Sequence, residues 1–228
     1  MILKKEIKNI FYSLQADVCG IANIERFKDA PKGFSPTDIF RECKSVIVFG
    51  AALPKGLERT DSRLIYGHFN NMCTGLIDEI AFFAAKRMER EFSCTAIPVP
   101  CDGPYEYWDE EKSEGRGLIS MKHAAALAGI GSIGNNSLLI NERFGTMLTI
   151  GAVLTDLELN SDEECEELCI KGCSKCIDSC PVGAIHNKTV NQKLCRNNTF
   201  GKTKRGFDTV ECNKCRVVCP LRYGKQRI

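Results

Sequence analysis

The chain has 228 residues, a formal net charge of +2 and 43% hydrophobic residues. This length and composition allow one domain of ordinary size with a packed core, followed by a small appended domain. No apolar run approaches the ~20 residues that a membrane-spanning helix needs, so we expect a soluble protein. The nearly balanced net charge does not favour any class of partner by itself.

The first half of the chain combines helix and strand patterns. Apolar residues at helical spacing predict an amphipathic helix over residues 2–15 and a long helix over residues 61–92. Residues 18–22 form a short strand candidate, and residues 35–38 (Ser-Pro-Thr-Asp) predict a helix start. The continuous apolar run at 45–53 is typical of a strand buried on both faces.

Two extended segments and a loop follow the long helix. Residues 95–100 are predicted to be extended, and their two prolines favour the edge of a sheet. Residues 102–117 are polar and aromatic, which predicts a long loop that serves as a lid, a binding loop or a cover for the core. Residues 146–154 resemble the run at 45–53 and predict a second central strand. These patterns indicate an α+β architecture with a mixed α/β core domain over residues 1–160.

A glycine-rich loop precedes the second central strand. Gly129, Gly131 and Gly134 match the G-x-G-x-x-G pattern of dinucleotide-binding loops. That fingerprint requires a strand before the glycines and a helix after them, whereas here an alanine-rich helix pattern precedes them and the apolar strand pattern of residues 137–140 follows. The sequence therefore argues against a nicotinamide site. The glycines do allow the backbone to approach a flat ligand closely.

Nine of the fourteen cysteines lie between residues 165 and 219, in two spaced sets. The first set reads C-x3-C-x2-C-x3-C-P over residues 169–181, and the second reads C-x2-C-x3-C-P over residues 212–220. Two-cluster ferredoxins use C-x2-C-x2-C-x3-C-P, in which three thiolates bind one [4Fe–4S] cluster and the fourth binds the other. The sequence therefore predicts a ferredoxin-like domain with two [4Fe–4S] clusters over residues 161–228.

This crossed pattern assigns four thiolate ligands to each cluster. The first cluster is predicted to bind Cys169, Cys173, Cys176 and Cys219. The second cluster is predicted to bind Cys180, Cys195, Cys212 and Cys215. The pattern departs from the ferredoxin motif in the longer spacer after Cys169 and in the distant position of Cys195.

Zinc and disulfides are the competing explanations for the cysteines. Paired C-x2-C elements are common in four-cysteine zinc sites, but zinc does not require the proline that follows the last cysteine of each set. No secretory signal is visible at the start of the chain, where charged residues recur from Lys4 onward. Together with the cluster motifs, this predicts a reducing cytoplasmic location in which thiols stay free.

Charge is distributed unevenly around the cysteines. Residues 156–167 contain seven acidic residues and no basic one, whereas residues 182–228 contain eleven basic residues against only Asp208 and Glu211. A basic segment of this kind suits nucleic acid or an acidic electron donor. It also suits a simpler role, because lysine and arginine offset the negative charge of thiolate-ligated clusters.

Residues 122–141, residues 150–156 and the two cysteine sets together resemble the iron–sulfur and corrinoid reductases typified by epoxyqueuosine reductase. The first segment reads KHAAALAGIGSIGNNSLLIN and the second reads IGAVLTD. The resemblance covers roughly the last half of the chain and is closest to a short branch without C-terminal helical repeats. It implies a nitroreductase-like core that holds base-off cobalamin near the first cluster. It also implies that the second cluster receives electrons from an external donor such as ferredoxin or flavodoxin.

The resemblance further implies site residues in the first domain. The corrinoid contacts carried over from it are Gly131, Ser132, Ile133, Gly134, Asn135 and Asn136, with His123 as a pocket residue. The family's proton donor corresponds to Asp102, for which Asp109 or Tyr105 could substitute. A carboxylic acid that donates a proton at neutral pH needs a pKa raised by burial or by a nearby negative charge.

Three functions are compatible with these features. The first is a cobalamin-dependent reductase that acts on a small molecule, with tRNA a doubtful substrate because no helical repeats are present. The second is an electron-transfer protein of the ferredoxin type that contains no corrinoid. The third is an activator that reduces the cobalamin of another corrinoid protein. Anaerobic titration with cob(II)alamin separates the first function from the second.

Overall fold

The computed structural model describes residues 2–225 of the chain. Its helices are α1 (Ile2–Ser13), α2 (Pro36–Ile39), α3 (Arg63–Phe92), α4 (Met121–Leu127), α5 (Lys175–Asp178), α6 (Gln192–Thr199) and α7 (Lys214–Val217). The strands are β1 (Val18–Asn23), β2 (Ser45–Ala52), β3 (Ala96–Val99), β4 (Tyr107–Asp109), β5 (Glu114–Arg116), β6 (Ser132–Ile133), β7 (Leu139–Ile140), β8 (Leu148–Thr155), β9 (Ile185–His186), β10 (Thr189–Val190), β11 (Phe200–Lys202) and β12 (Asp208–Val210).

A four-stranded antiparallel sheet in the order β1-β2-β8-β3 forms the centre of the molecule. The long strands β2 and β8 pair along their full length, from Ser45 opposite Thr155 to Ala52 opposite Leu148. Both strands are buried almost throughout, as the continuous apolar runs predict for strands that are covered on both faces. The edge strand β3 contains Pro98, which confirms the predicted edge position.

Helices cover both faces of the sheet. On one face α1 and α3 pack over Ile47 and Phe49 of β2, with Ile77 of α3 fully buried. On the other face the alanines of α4 pack over Val46 and Val48 of the same strand. Successive side chains of a strand point to opposite faces, so β2 contributes to both cores. The mixed α/β fold, the amphipathic first helix and the long helix are therefore confirmed.

The segment at 102–117 differs from the predicted loop. It contains the hairpin of β4 and β5, in which Trp108 pairs with Gly115. Gln192 of α6 exchanges two hydrogen bonds with the backbone of Gly115, each at 3.0 Å, so the hairpin is fixed to the cysteine-containing segment. The sequence predicted a long loop here and did not indicate the two short strands, because they lack an apolar alternation.

The cysteine-containing segment packs on the core rather than standing apart from it. Its helical turns α5 and α7 contact each other, and β12 lies on the first half of α3, where Gly67 approaches Val210. At the other end of the segment, Asp162 and Ile21 exchange two hydrogen bonds of 2.8 Å along the free edge of β1. Within residues 2–225, none of the helices is long and apolar enough to span a membrane.

Candidate functional site

The first cysteine set lies on a loop that ends in one helical turn. Gly172 takes a positive φ of 77° directly before Cys173, and α5 then places Cys176 in its single turn. Cys180 follows the turn, and Pro181 prevents the helix from continuing. The second set repeats this form, with Cys215 inside α7 and Cys219 before Pro220.

The four cysteines predicted for the first cluster line one pocket. Three of them, Cys169, Cys173 and Cys176, come from the first set, and Cys219 comes from the end of the second set. The pocket is also lined by Asn135, Asn136, Ile140, Ile170, Lys175, Pro220 and Leu221. The fold therefore brings together sulfur atoms that are up to 50 residues apart in the chain, counted from Cys169 to Cys219.

The thiols of this pocket affect one another electrostatically. Burial raises the pKa of the Cys176 thiol, and the neighbouring Cys169 and Cys219 raise it further. Burial also raises the pKa of the Cys219 thiol, with further increases from Cys169 and Cys173. Such mutual effects require the four thiols to lie close together.

The surroundings of Cys215 include two other cysteines predicted for the second cluster, and also Cys176 from the first predicted cluster. Burial raises the pKa of the Cys215 thiol to about 11, and the neighbouring Cys195 and Cys212 also raise it. The sulfur of Cys180, the fourth predicted ligand, accepts a hydrogen bond of 3.2 Å from the Ala184 backbone. Within the part of the chain that the structure describes, no three Cys, His, Asp or Glu side chains are arranged to hold a single metal ion.

Two asparagines of the glycine-rich loop join the core domain to both cysteine sets. The side-chain amide of Asn135 donates to the Cys173 carbonyl oxygen at 3.0 Å. The side-chain amide of Asn136 donates to the Cys215 carbonyl oxygen at 3.1 Å. Asn136 is only 5% exposed, so its hydrogen bond is made inside the protein. One loop therefore holds a backbone group of each predicted cluster site.

The glycines of this loop are required by contacts within the chain. A Cβ atom on Gly131 would lie 2.2 Å from the Ile140 carbonyl oxygen, and one on Gly134 would lie 2.6 Å from the Ile140 side chain. Both glycines are buried, and the hydroxyl of Ser132 accepts a hydrogen bond of 2.8 Å from the Leu168 backbone. The half-buried Ile133 lies in the same short hairpin, β6–β7.

The helix before the loop contributes two polar side chains. The exposed His123 is linked to the Ser120 hydroxyl through Nδ1 at 2.6 Å, and partial desolvation of its ring together with the charge of Lys122 lowers the pKa of His123. Lys122 donates to the hydroxyl and carbonyl of Ser137. Ser137 is buried with a φ of 62°, a conformation that is uncommon for a residue other than glycine. The sequence did not predict this Lys122–Ser137 contact, since no local pattern marks it.

Asp102 lies at the exposed surface beside an aromatic cluster. The Tyr105 hydroxyl donates to the Asp102 carboxylate at 3.3 Å, and Arg196 donates to the Tyr105 hydroxyl at 3.0 Å. The Arg196 guanidinium also lies over the rings of Tyr105 and Trp108, at 5.3 Å from each centroid. The burial that a neutral carboxylic acid would need is therefore absent at Asp102 in the described structure.

Sequence comparison identifies epoxyqueuosine reductases as relatives. The Bacillus subtilis enzyme is 31% identical over 119 residues, which is 48% of this chain and 31% of the relative. The Lactococcus garvieae enzyme is 25% identical over 211 residues, which is 86% of this chain and 57% of the relative. The chain thus spans less than two thirds of the length of these relatives. No family model matches the chain.

Solved structures with the same fold include epoxyqueuosine reductases and reductive dehalogenases. The epoxyqueuosine reductase of Streptococcus thermophilus has a TM-score of 0.66 and 19% identity, covering 99% of this chain and 67% of its own. The catabolic reductive dehalogenase NpRdhA has a TM-score of 0.71 and 19% identity, covering 95% of this chain and 31% of its own. The predicted resemblance to epoxyqueuosine reductase-like proteins is therefore confirmed, in sequence over about half of the chain and in fold over nearly all of it.

Proposed function

We propose that the protein is an iron–sulfur oxidoreductase of the epoxyqueuosine reductase type. In this proposal, two [4Fe–4S] clusters in a ferredoxin-like domain over residues 161–228 pass electrons to a reactive site in the core domain over residues 1–160. The observation that carries it is the pocket lined by Cys169, Cys173, Cys176 and Cys219. One set of cysteines supplies three of these thiols and the other supplies the fourth, as in two-cluster ferredoxins.

The residues of this pocket fit a [4Fe–4S] cluster. Four thiols are available as ligands, and the half-buried to buried positions of these cysteines limit access of solvent. When bound, such a cluster accepts and passes on single electrons. The proposed second cluster would take Cys180, Cys195, Cys212 and Cys215, and both Cys195 and Cys212 contribute to the raised pKa of the Cys215 thiol. A zinc site has no need for the proline that follows the last cysteine of each set.

The predicted corrinoid contacts fit cobalamin less well. The side-chain amides of Asn135 and Asn136 are already bonded to backbone carbonyls, and Ile140 fills the space beside Gly131 and Gly134. The amides and the glycines of the loop therefore already serve contacts within the protein. The resemblance still makes cobalamin the expected electron acceptor, since one neighbouring structure, a reductive dehalogenase, suggests a mechanism for B12-dependent dehalogenation. A ferredoxin-type carrier without corrinoid is the second candidate function, which the filled loop favours.

We propose Asp102 as the residue that supplies a proton to a reduced substrate. Its carboxylate is tied to α6 by two consecutive hydrogen bonds through Tyr105 and Arg196. These contacts would hold the carboxylate in place at the surface. A bound substrate that covers Asp102 would have to supply the burial that the exposed side chain lacks in the described structure. A solved epoxyqueuosine reductase is in complex with a modified tRNA stem loop. For the chain described here we propose a small molecule or a corrinoid protein as the substrate.

Anaerobic analysis of iron and acid-labile sulfide tests the proposal. We expect about eight iron and about eight sulfide per chain, and about half of each in Cys176→Ala, because one of two clusters loses a ligand. Cys165→Ala is the matched control, since Cys165 is half-buried and outside both predicted ligand sets. Zinc without labile sulfide, or full iron in Cys176→Ala, would contradict the proposal.

Titration of the reduced, cluster-loaded protein with cob(II)alamin separates the two candidate functions. A change to a base-off spectrum supports the reductase, and the absence of binding supports the carrier. Asn135→Ala and Asn136→Ala then report on the predicted corrinoid contacts. If cobalamin binds wild type and both variants equally, these residues do not contact it.

A further inference from the structure

Electrostatic charge separates the surroundings of the two proposed clusters. The chain that leads into the first cysteine set carries Glu163, Glu164, Glu166 and Glu167. The chain around the second set carries Lys193, Lys202, Lys204, Arg205 and Lys214. The first set itself contains the exposed Lys171 and Lys175, so its surroundings carry both signs of charge, whereas the surroundings of the second set are mainly basic. An approaching acidic molecule is therefore attracted mainly to the second set, because exposed charges of one sign steer encounters.

The β11–β12 hairpin forms the most exposed part of the basic region. Its turn contains Lys204 and Arg205, both exposed, and Gly206 takes a φ of 87° to complete it. Phe200 and Phe207 are each 60% exposed, although each is large and apolar. Two adjacent basic side chains and two exposed aromatic rings on one small hairpin are typical of a binding surface, since aromatic residues are enriched in interfaces.

The acidic residues of this hairpin are already paired. Asp208 lies 3.4 Å from the Lys202 ammonium, and Glu211 forms an ion pair with Arg63 and accepts a hydrogen bond from Thr209. Neither Lys204 nor Arg205 has an ion-pair partner among residues 2–225. Their charges are therefore free to attract an anionic partner.

The base of the hairpin joins the second cysteine set directly. Phe200 follows the last residue of α6, the helix that carries Cys195, and Cys212 lies two residues after the end of β12. The Glu211 backbone donates to the Thr199 carbonyl oxygen at 2.6 Å, and the Thr199 hydroxyl lies 3.6 Å from the Cys195 sulfur. A partner on the hairpin would therefore sit beside the proposed second cluster.

We propose that the β11–β12 hairpin is the docking site of an acidic one-electron donor protein, which reduces the second cluster. This inference rests on the proposed function, because it assigns the entry point of the electrons. Lys204 and Arg205 attract the acidic surface of the donor and orient it. The two exposed phenylalanines exclude water from the contact. Such an interface is small and transient, and its association rate falls as salt increases.

Basic surfaces with exposed aromatic rings also bind single-stranded nucleic acid in other proteins. The position of the hairpin between Cys195 and Cys212 favours the electron donor, because a nucleic-acid platform has no need to adjoin a redox centre. The separation of acidic and basic charge between the two cysteine sets favours it too, since it selects one of two clusters as the entry point.

The test uses cluster-loaded protein and the hydroquinone form of a flavodoxin as an acidic donor. The rate of cluster bleaching is followed by stopped flow at low salt for wild type and for Lys204→Glu/Arg205→Glu. We expect the bimolecular rate to fall at least about 10-fold in the double variant, the lower end of electrostatic steering. Lys28→Glu/Lys32→Glu reverses two exposed bases elsewhere, and we expect its rate to stay within about twofold of wild type.

Iron content and reduction by dithionite must be the same in all three proteins, because the hairpin holds no proposed ligand. Equal flavodoxin rates in loaded wild type and the hairpin variant would overturn the docking proposal and leave the proposed function intact. If the wild-type protein contains no iron–sulfur clusters after anaerobic preparation, both the docking proposal and the proposed function are overturned. Loss of binding to a single-stranded RNA oligonucleotide, with an unchanged flavodoxin rate, would assign the hairpin to nucleic acid and overturn the donor proposal.

Discussion

Asn136→Ala should destabilise the protein more than the same substitution at its neighbour Asn135. The variant loses the hydrogen bond to the Cys215 carbonyl and the bond of 3.2 Å that the Leu138 backbone donates to the side-chain oxygen. Each bond contributes about 1 kcal/mol, and a buried group left without a partner adds about 1 kcal/mol. We therefore expect the free energy of unfolding to fall by about 2–3 kcal/mol.

Asn135→Ala is the matched control for this prediction. Asn135 makes a single such bond, to the Cys173 carbonyl, and is half-buried, so water can replace the lost donor. Its expected cost is at most about 1 kcal/mol. Urea unfolding under anaerobic conditions measures both values. Equal losses in the two variants, or a loss under about 0.5 kcal/mol for Asn136→Ala, would refute the role assigned to Asn136.

Three further predictions concern the core beneath α3, the glycine-rich loop and the edge of the central sheet. Ile77→Ala should cost about 2–5 kcal/mol in urea unfolding because it opens a cavity, whereas Leu64→Ala, exposed on the same helix, should cost little. Gly131→Ala should cost about 1–3 kcal/mol, and Gly56→Ala, with open space around it, should be neutral. Burial opposes ionisation of Asp162, but hydrogen bonds from Lys4 and Lys8 outweigh it and lower its pKa. The ionised Asp162 therefore stabilises the folded protein above about pH 4, and this stabilisation is lost as the pH falls further. If the free energy of unfolding of Asp162→Asn fell with decreasing pH in the same way as that of wild type, the prediction would be contradicted.

The central sheet could be predicted from the sequence because its signal is local and strong. The apolar runs that became β2 and β8 have no polar alternation, and burial on both faces leaves no other explanation for them. The long helix α3 was predicted to within two residues of its start, where the Ser62 side chain caps it. The β4–β5 hairpin could not be predicted, because Gln192, which holds it, is 77 residues away from Gly115.

The candidate site was only partly predictable for the same reason. Cysteine spacing is a local pattern, so the amino-acid sequence alone was enough to predict the first set as cluster ligands, and the structure places the four cysteines predicted for the first cluster around one pocket. The functions of Gly131 and Asn136 depend on partners elsewhere in the fold. Gly131 is predicted to approach a flat ligand, and the structure adds a close contact with the Ile140 backbone that the sequence did not indicate. The bond from Asn136 reaches 79 residues along the chain.

The hydrogen bonds between Asp162 and Ile21 protect the protein against aggregation through the edge of its sheet. They seal the outer side of β1, which would otherwise be an open row of donors and acceptors that recruits other chains. The same segment continues directly into the cysteine region. Damage that loosens this region, such as exposure to air, would therefore uncover a template for intermolecular β-pairing. Loosening of this one segment would then cause both precipitation of the protein and loss of the proposed electron transfer.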